Sequence, residues 1–272
     1  ISKYPHFSRK GCSKLKKNIS IKNLERIKPY IHEILDWFEQ EYSNEEKISL
    51  VKIMRRKIKG IYKHAQALKT GLCNRMILSA ISDKDTISLC ISKNTIESNT
   101  QWLERLLDAL KKRYPGINSS ELVMIVSSNT NTLNGRATHC RSMSQAQDLL
   151  LCANSTFKAI FICSNKTRLA EILCLTSLCD RMKANEGYKK FRIIHDEAHN
   201  TNEGIPAHRD IIENILLQDN VISYTPCTAT NKNLEMEKNF IWDMESLEKQ
   251  AINYTKEGYT TKSSDPNYSS CS

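Results

Sequence analysis

No C-x-x-C pair occurs among the ten cysteines of this chain, which fall at 12, 73, 90, 140, 152, 163, 174, 179, 227 and 271. That absence removes the usual spacing of a structural zinc site. Several thiols sit inside apolar runs, Cys90 within 87–91 and Cys163 within 159–163, where cysteine behaves as a small buried hydrophobe. Thiols used in this way point to a reducing, intracellular setting rather than a disulfide-stapled secreted scaffold. Glycine and proline are scarce, 8 and 6 in 272 residues, which argues against long flexible linkers. No apolar run approaches the roughly 20 residues that a membrane-spanning helix needs. The chain opens on Ile1 rather than Met, with no signal-peptide pattern after it, and is expected to be trimmed at its amino end.

What is present is the composition of a globular protein, 40% hydrophobic and 26% charged, long enough for one large α/β domain or two small ones. The formal net charge is +10, with a pI near 9.0. Such a surface favours polyanions, nucleic acid before anionic membrane, and sets non-specific affinity rather than function. The positive residues cluster at Lys10, Lys14, Lys16 and Lys17, at Lys52, Arg55, Arg56, Lys57 and Lys59, and at Lys111, Lys112 and Arg113.

Residues 1–18 are basic and without pattern. From Ser20 the apolar positions Ile21, Leu24, Ile27, Ile31, Ile34, Leu35 and Phe38 recur at helical spacing, and a second helix is expected over 45–59. Residues 1–59 therefore read as a basic arm and helical segment. Beyond Gly60 the pattern alternates. Strands are predicted at 61–65, 86–92, 122–127, 159–163, 191–194 and 221–224, with helices at 70–81, 99–113, 144–153, 166–183 and 207–217. Short apolar strands separated by helices imply an α/β domain with a mostly parallel sheet covered on both faces. Residues 232–272 form a charged stretch and then a polar tail.

The strand predicted at 191–194 ends in His195, Asp196, Glu197, Ala198 and His199. Acidic residues at the carboxyl end of a buried parallel strand stand where open α/β sheets place their ligand chemistry. An Asp there can hold Mg²⁺, and an adjacent Glu can orient or deprotonate an attacking water. A second apolar run, 221–224, leads into Thr225, Pro226, Cys227, Thr228, Ala229 and Thr230.

Together these segments resemble the first, RecA-like motor lobe of a divergent DEAH-box superfamily 2 helicase, of the kind encoded by large DNA viruses. The resemblance covers about residues 60–231. It implies that Asp196, Glu197 and His199 form the catalytic segment, with His199 bridging the nucleotide site to a coupling motif at Thr228, Ala229 and Thr230. It also implies ATP and Mg²⁺ as cofactors, with a phosphate-binding loop at 66–71. Against the family's G-K-T core, Lys69 and Thr70 match and Leu68 fills the slot of the last glycine. Lys69 would then contact phosphates, Gly71 would follow in the opening helical turn, and Thr70 would join Asp196 on Mg²⁺. In another register Gly71, Leu72 and Cys73 align with G-K-T, which loses both Lys and Thr. Leucine in a glycine slot costs about 1–3 kcal/mol where positive φ is required.

The resemblance further implies nucleic-acid contacts from the loop after the second strand, at Lys93 and Asn94, and from Arg105. Ser164, Asn165 and Arg168 follow the strand at 159–163 and are candidates for the same strand of DNA or RNA. Trp102 is a candidate to stack a base, although a helical Trp belongs more often to the core. His195, Asp196 and His199 invite a metal-cluster reading, against which the adjacent Glu and the later Thr-Ala-Thr weigh. Lys69, Asp196 and Thr230 are expected along one edge of a parallel sheet. Residues after 231 are too few for a second lobe, and no G-R-x-x-R segment offers arginine fingers, so the expected lobe would not unwind alone. The rival expectation is an inactive helicase-derived scaffold, for instance in a virus particle or virus factory. A nuclease reading lacks further spaced carboxylates.

Overall fold

Short runs rich in Ile, Val and Phe become strands here because β-branched side chains suit a pleated surface and each run is apolar on both faces. The computed structural model describes residues 69–93, 95–128, 134–152, 154–182, 188–198 and 206–228, together with Tyr30 and several positions between 49 and 62. Its strands are β1 Ile61–Tyr62, β2 Thr86–Ser92, β3 Val123–Val126, β4 Thr138–Cys140, β5 Ala159–Cys163, β6 Lys190–Asp196 and β7 Val221–Thr228. The helices are α1 Lys69–Ser79, α2 Ile96–Arg113, α3 Ser119–Leu122, α4 Met143–Leu150, α5 Lys166–Arg181 and α6 Pro206–Leu217. All seven strands join one sheet in the order β1-β7-β6-β2-β5-β3-β4, and every neighbouring pair is parallel. The expected α/β class and parallel sheet are therefore present. The basic helical segment falls largely outside the described residues.

Strand order dictates the layers. The chain steps one way across the sheet from β1 to β2 to β3, carrying α1 and α2, and steps back from β4 through β5 and β6 to β7, carrying α4, α5 and α6. Right-handed crossovers must place these two sets on opposite faces. Two separate cores agree. On the first face Cys73, Ile77, Leu103 and Leu106 pack with Cys90, Ile125, Phe161, Ile194 and Cys227. On the second, Leu150, Leu169, Ile172 and Ile215 pack with Leu89, Met124, Ile160, Ile162 and Ile193. Ile193 and Ile194 belong to different cores, as the two-residue period of a strand requires.

On the second face α5 is buried around its whole circumference, from Ile172 through Cys179, which a helix lying only on a sheet would not be. It lies beside α4 and α6, and Tyr30, Met54 and Ile58 join the same core. Lys57 donates from Nζ to the carbonyls of Leu216 and Gln218, closing the end of α6. Part of the amino-terminal segment thus completes this face. Among the described residues no helix is long and apolar enough to cross a membrane.

β7 and β4 depart from the sequence expectation, as does α3, a single turn capped by Asn118 where no helix is predicted. β7 continues past Tyr224 to Thr228, through Pro226, although proline removes a ladder donor. The Cys227 carbonyl accepts from Ala198 N–H on the β6 side, so the nitrogen of Pro226 is turned towards β1. There the β1 ladder begins only at Cys227, and the missing donor leaves no broken bond. β4 is a three-residue edge strand with one fully buried side chain, Cys140.

Candidate functional site

Because every strand runs the same way, all carboxyl ends share one edge of the sheet. β6 delivers Asp196 there, aligned across the ladder with Cys227 of β7, which is aligned in turn with Ile61 of β1. Helix α1 comes down over this row on the first face. Its Cys73 Sγ lies 3.4 Å from Cys227 Sγ, and three residues further on the Met76 carbonyl accepts from Arg192 Nη1 of β6 at 2.9 Å. The helix therefore runs antiparallel to the strands. Its first residue, Lys69, lies about 6 Å along the axis from Cys73, towards the carboxyl edge.

Lys69 is buried, with 8% of its surface exposed, and both its charge and that of Asp196 act on the Cys227 thiol. That thiol is held well above its ordinary range, first by the hydrogen bond with Cys73, then by burial and by Asp196, while Lys69 opposes the shift. A cation and a carboxylate thus both lie close enough to one buried thiol, on the first face, for their charges to act on it. Thr70 and Gly71, both half-buried, complete the opening turn of α1. Asp196 and Thr70 each offer a hard oxygen of the kind taken by Mg²⁺, which binds through one or two protein oxygens plus phosphate and water. Among the described residues no group of three or more His, Cys, Asp or Glu gathers around a metal position.

Glu197 directly follows β6 with φ at +52°, in the left-handed region that disfavours side chains with a Cβ. The turn is held by Ala198 N–H, which donates to the Cys227 carbonyl at 3.0 Å. Backbone strain of this kind collects at functional sites. Glu197→Gly is expected to raise stability by about 1 kcal/mol, because glycine accepts positive φ without a Cβ clash. Glu197→Ala keeps the Cβ and should show no such gain in urea unfolding. Equal midpoints for the two variants would remove the strain argument.

His195 turns away from this site. It is fully buried on the second face, its Nδ1 2.9 Å from the Tyr224 hydroxyl. Neighbouring strand residues face opposite ways, so His195 and Asp196 cannot share a metal, and that part of the metal-cluster reading fails. His208 is buried in the first turns of α6. Thr228 is buried at the tip of β7. Leu68, His199, Ala229 and Thr230 lie outside the described residues, as does Asn94.

The same edge continues across β2 and β5. Ser92 is aligned with Cys163, and Ser164 N–H donates to the Ser92 carbonyl at 2.8 Å. Two long helices start here, α2 capped by Thr95, which accepts from Ser98 N–H, and α5 capped by Asn165, which accepts from Arg168 N–H. β2 feeds a helix on the first face, whereas its neighbours β5 and β6 feed helices on the second, so crevices open on both sides of its tip. Lys93 is exposed at that tip, and Ser164 is buried beside it. The Asn165 side chain is engaged as a cap, and Arg168 pairs with Glu171 at 2.8 Å.

Arg105 is not brought to this place. It lies about 13 Å along α2 from the helix start, exposed on its outer surface. Trp102 is 3% exposed inside the first core, where no base can reach it. The residue that sequence reasoning passed over is Lys166, exposed in the first turn of α5 directly after its cap. Its signal was Asn165, a capping residue type directly after the apolar run at 159–163, which fixes a helix start at the strand tip.

Comparison with protein families and with curated proteins returns no match for this chain.

Proposed function

We propose that this chain is a helicase-type motor lobe that binds ATP with Mg²⁺ at the β1, β7 and β6 tips and a nucleic-acid strand at the β2 and β5 tips. What supports the reading is that Asp196 is aligned with Cys227 on the first face, and that Lys69 opens, one turn before Cys73, the helix whose Cys73 Sγ lies 3.4 Å from Cys227 Sγ. In this reading Lys69 neutralises phosphate charge at the opening of α1, where helix N–H groups also favour an anion. Asp196 and Thr70 hold the metal, which when bound shields the phosphate oxygens. Glu197 positions water, and its strained backbone holds the carboxylate beyond the strand tip. In this reading the segment of Thr228, Ala229 and Thr230 couples nucleotide state to the nucleic-acid edge, and Thr228 is buried at the tip of β7, within the nucleotide site. Strand separation would call for a second lobe, so the activity proposed for this chain is binding.

A second reading, a retired lobe serving as a scaffold in a nucleoprotein assembly, is favoured by Leu68 in the glycine slot. Calorimetry separates the two. Wild-type protein is expected to bind ATP-Mg²⁺ weakly, and Leu68→Gly to tighten it about tenfold, the equivalent of about 1.4 kcal/mol of relieved strain. Lys69→Ala should remove binding from both backgrounds. No heat from either the wild type or Leu68→Gly would leave the scaffold reading in place.

A further inference from the structure

Directly beneath the edge that carries Lys69 and Asp196, the first face of the sheet holds a layer of thiols. Cys73 of α1 and Cys227 of β7 are both fully buried, with their Sγ atoms 3.4 Å apart. Cys90 of β2 lies in the same core, aligned with Ile194 rather than Asp196. Packing accounts for a single buried thiol. Two in contact across a helix–strand joint, 154 residues apart in sequence, are also placed to be joined by one oxidation. A disulfide requires a sulfur–sulfur distance of about 2.05 Å, so the pair must close by about 1.4 Å.

We propose that Cys73 and Cys227 form a reversible disulfide that clamps α1 onto β7 and fixes the spacing of Lys69 and Asp196. The oxidant is a hydroperoxide. One thiol takes its terminal oxygen and becomes a sulfenic acid, releasing water or an alcohol. The sulfur of the second thiol then attacks the sulfenic sulfur. The S–S bond forms, the S–O bond breaks, and the oxygen leaves as water with the attacking thiol's proton. Two electrons pass from the thiol pair to the peroxide, and an external dithiol returns them. Buried thiols react slowly, so the step proceeds through brief opening of α1 from β7, and anything that holds α1 down slows it.

The bond itself does not depend on the nucleotide reading; only its consequence does. Lys69 and Cys73 are one helical turn apart, so a clamp at Cys73 fixes Lys69 as well. The linked form is therefore expected to differ from the reduced form in its affinity for ATP.

The test exposes the whole reduced protein to hydrogen peroxide, blocks remaining thiols with an alkylating reagent and maps the peptides without reduction. A Cys73–Cys227 link is expected, reversed by dithiol, absent from Cys73→Ala and Cys227→Ala, and retained in Cys90→Ala. Closing so long a loop should raise the thermal midpoint of the oxidised form, by up to about 10 °C. Exposed Cys152 serves as the marker that the oxidant has acted. Oxidised Cys152 without the Cys73–Cys227 link overturns the proposal, and so does Cys73–Cys90 as the main product. ATP affinity of the linked form is then compared with that of the reduced form. A link that leaves affinity unchanged overturns the clamp on the Lys69–Asp196 spacing. Where the reduced protein binds no ATP, the Leu68→Gly background replaces it in the comparison; no binding there either overturns the nucleotide reading, and the rise in thermal midpoint then decides the clamp.

Discussion

Trp102→Ala is expected to destabilise the fold by about 4–6 kcal/mol, the sum of a large core cavity and one orphaned buried polar group. The indole of α2 is enclosed between α1 and the sheet. Its ring meets Phe161 of β5 edge-on, with centroids 5.1 Å apart and planes at 77°. Its Nε1–H donates to Asn74 Oδ1 of α1 at 2.8 Å, and Asn74 is itself buried. Truncation therefore removes the aromatic contact, opens a void in a packed layer and leaves the Asn74 carbonyl without its donor. Against a total stability of about 5–15 kcal/mol, such a loss approaches complete unfolding. Trp102→Phe keeps most of the apolar volume and loses only the N–H, which predicts about 1–3 kcal/mol. Urea unfolding followed by circular dichroism measures both variants. A Trp102→Ala midpoint within 0.5 kcal/mol of the wild type, on the order expected for a surface substitution, would place the ring outside the core.

Trp102 also shows what was legible before any coordinates. Trp102, Leu103, Leu106, Leu107 and Leu110 recur at helical spacing, so the core face of α2 could be read directly. β2 and β5 run over 86–92 and 159–163 as predicted, because each apolar run is bounded by polar residues. β4 was not legible: Thr138, His139 and Cys140 carry almost no apolar signal, and the strand exists because β3 offers it a partner. The sequence reading ends β7 at Tyr224, two residues before Pro226, which lacks a ladder donor. The strand continues because of the side on which Pro226 lacks that donor, a tertiary fact. At the site, Asp196 could be located from an acid that follows an apolar run. The divergence of His195 and Asp196 was equally available from strand alternation. Lys69 had no local signature beyond the resemblance, and its place on the Cys227 side of the sheet arises from α1 packing across β7 and β6 on the way from β1 to β2. Arg105 lies about 13 Å down α2 from its start, a distance that the rise per residue gives directly from sequence once the helix start is known.

The second large effect tests the nucleic-acid strand proposed at the tips of β2 and β5. Lys93 and Lys166 are exposed at adjacent strand ends, beside the starts of α2 and α5, where helix N–H groups also face solvent. Each lysine that neutralises one phosphate of a single strand contributes roughly 0.7 to the slope of log affinity against log salt, which is roughly eightfold in affinity at 50 mM salt. Replacing both Lys93 and Lys166 with Ala is therefore expected to weaken binding roughly sixtyfold at that salt and to flatten the slope by roughly 1.4. The loss should be the same for unrelated sequences, because phosphate contacts position a strand without reading it. Arg105→Ala, well down the outer surface of α2, should cost less than either lysine. Fluorescence anisotropy over a salt series, with single-stranded and duplex probes, measures each quantity. Equal losses from Arg105→Ala and from the double variant would mean diffuse attraction to a chain of net charge +10 rather than a track along the strand tips. Undiminished binding in the double variant would move the nucleic-acid surface away from this edge altogether.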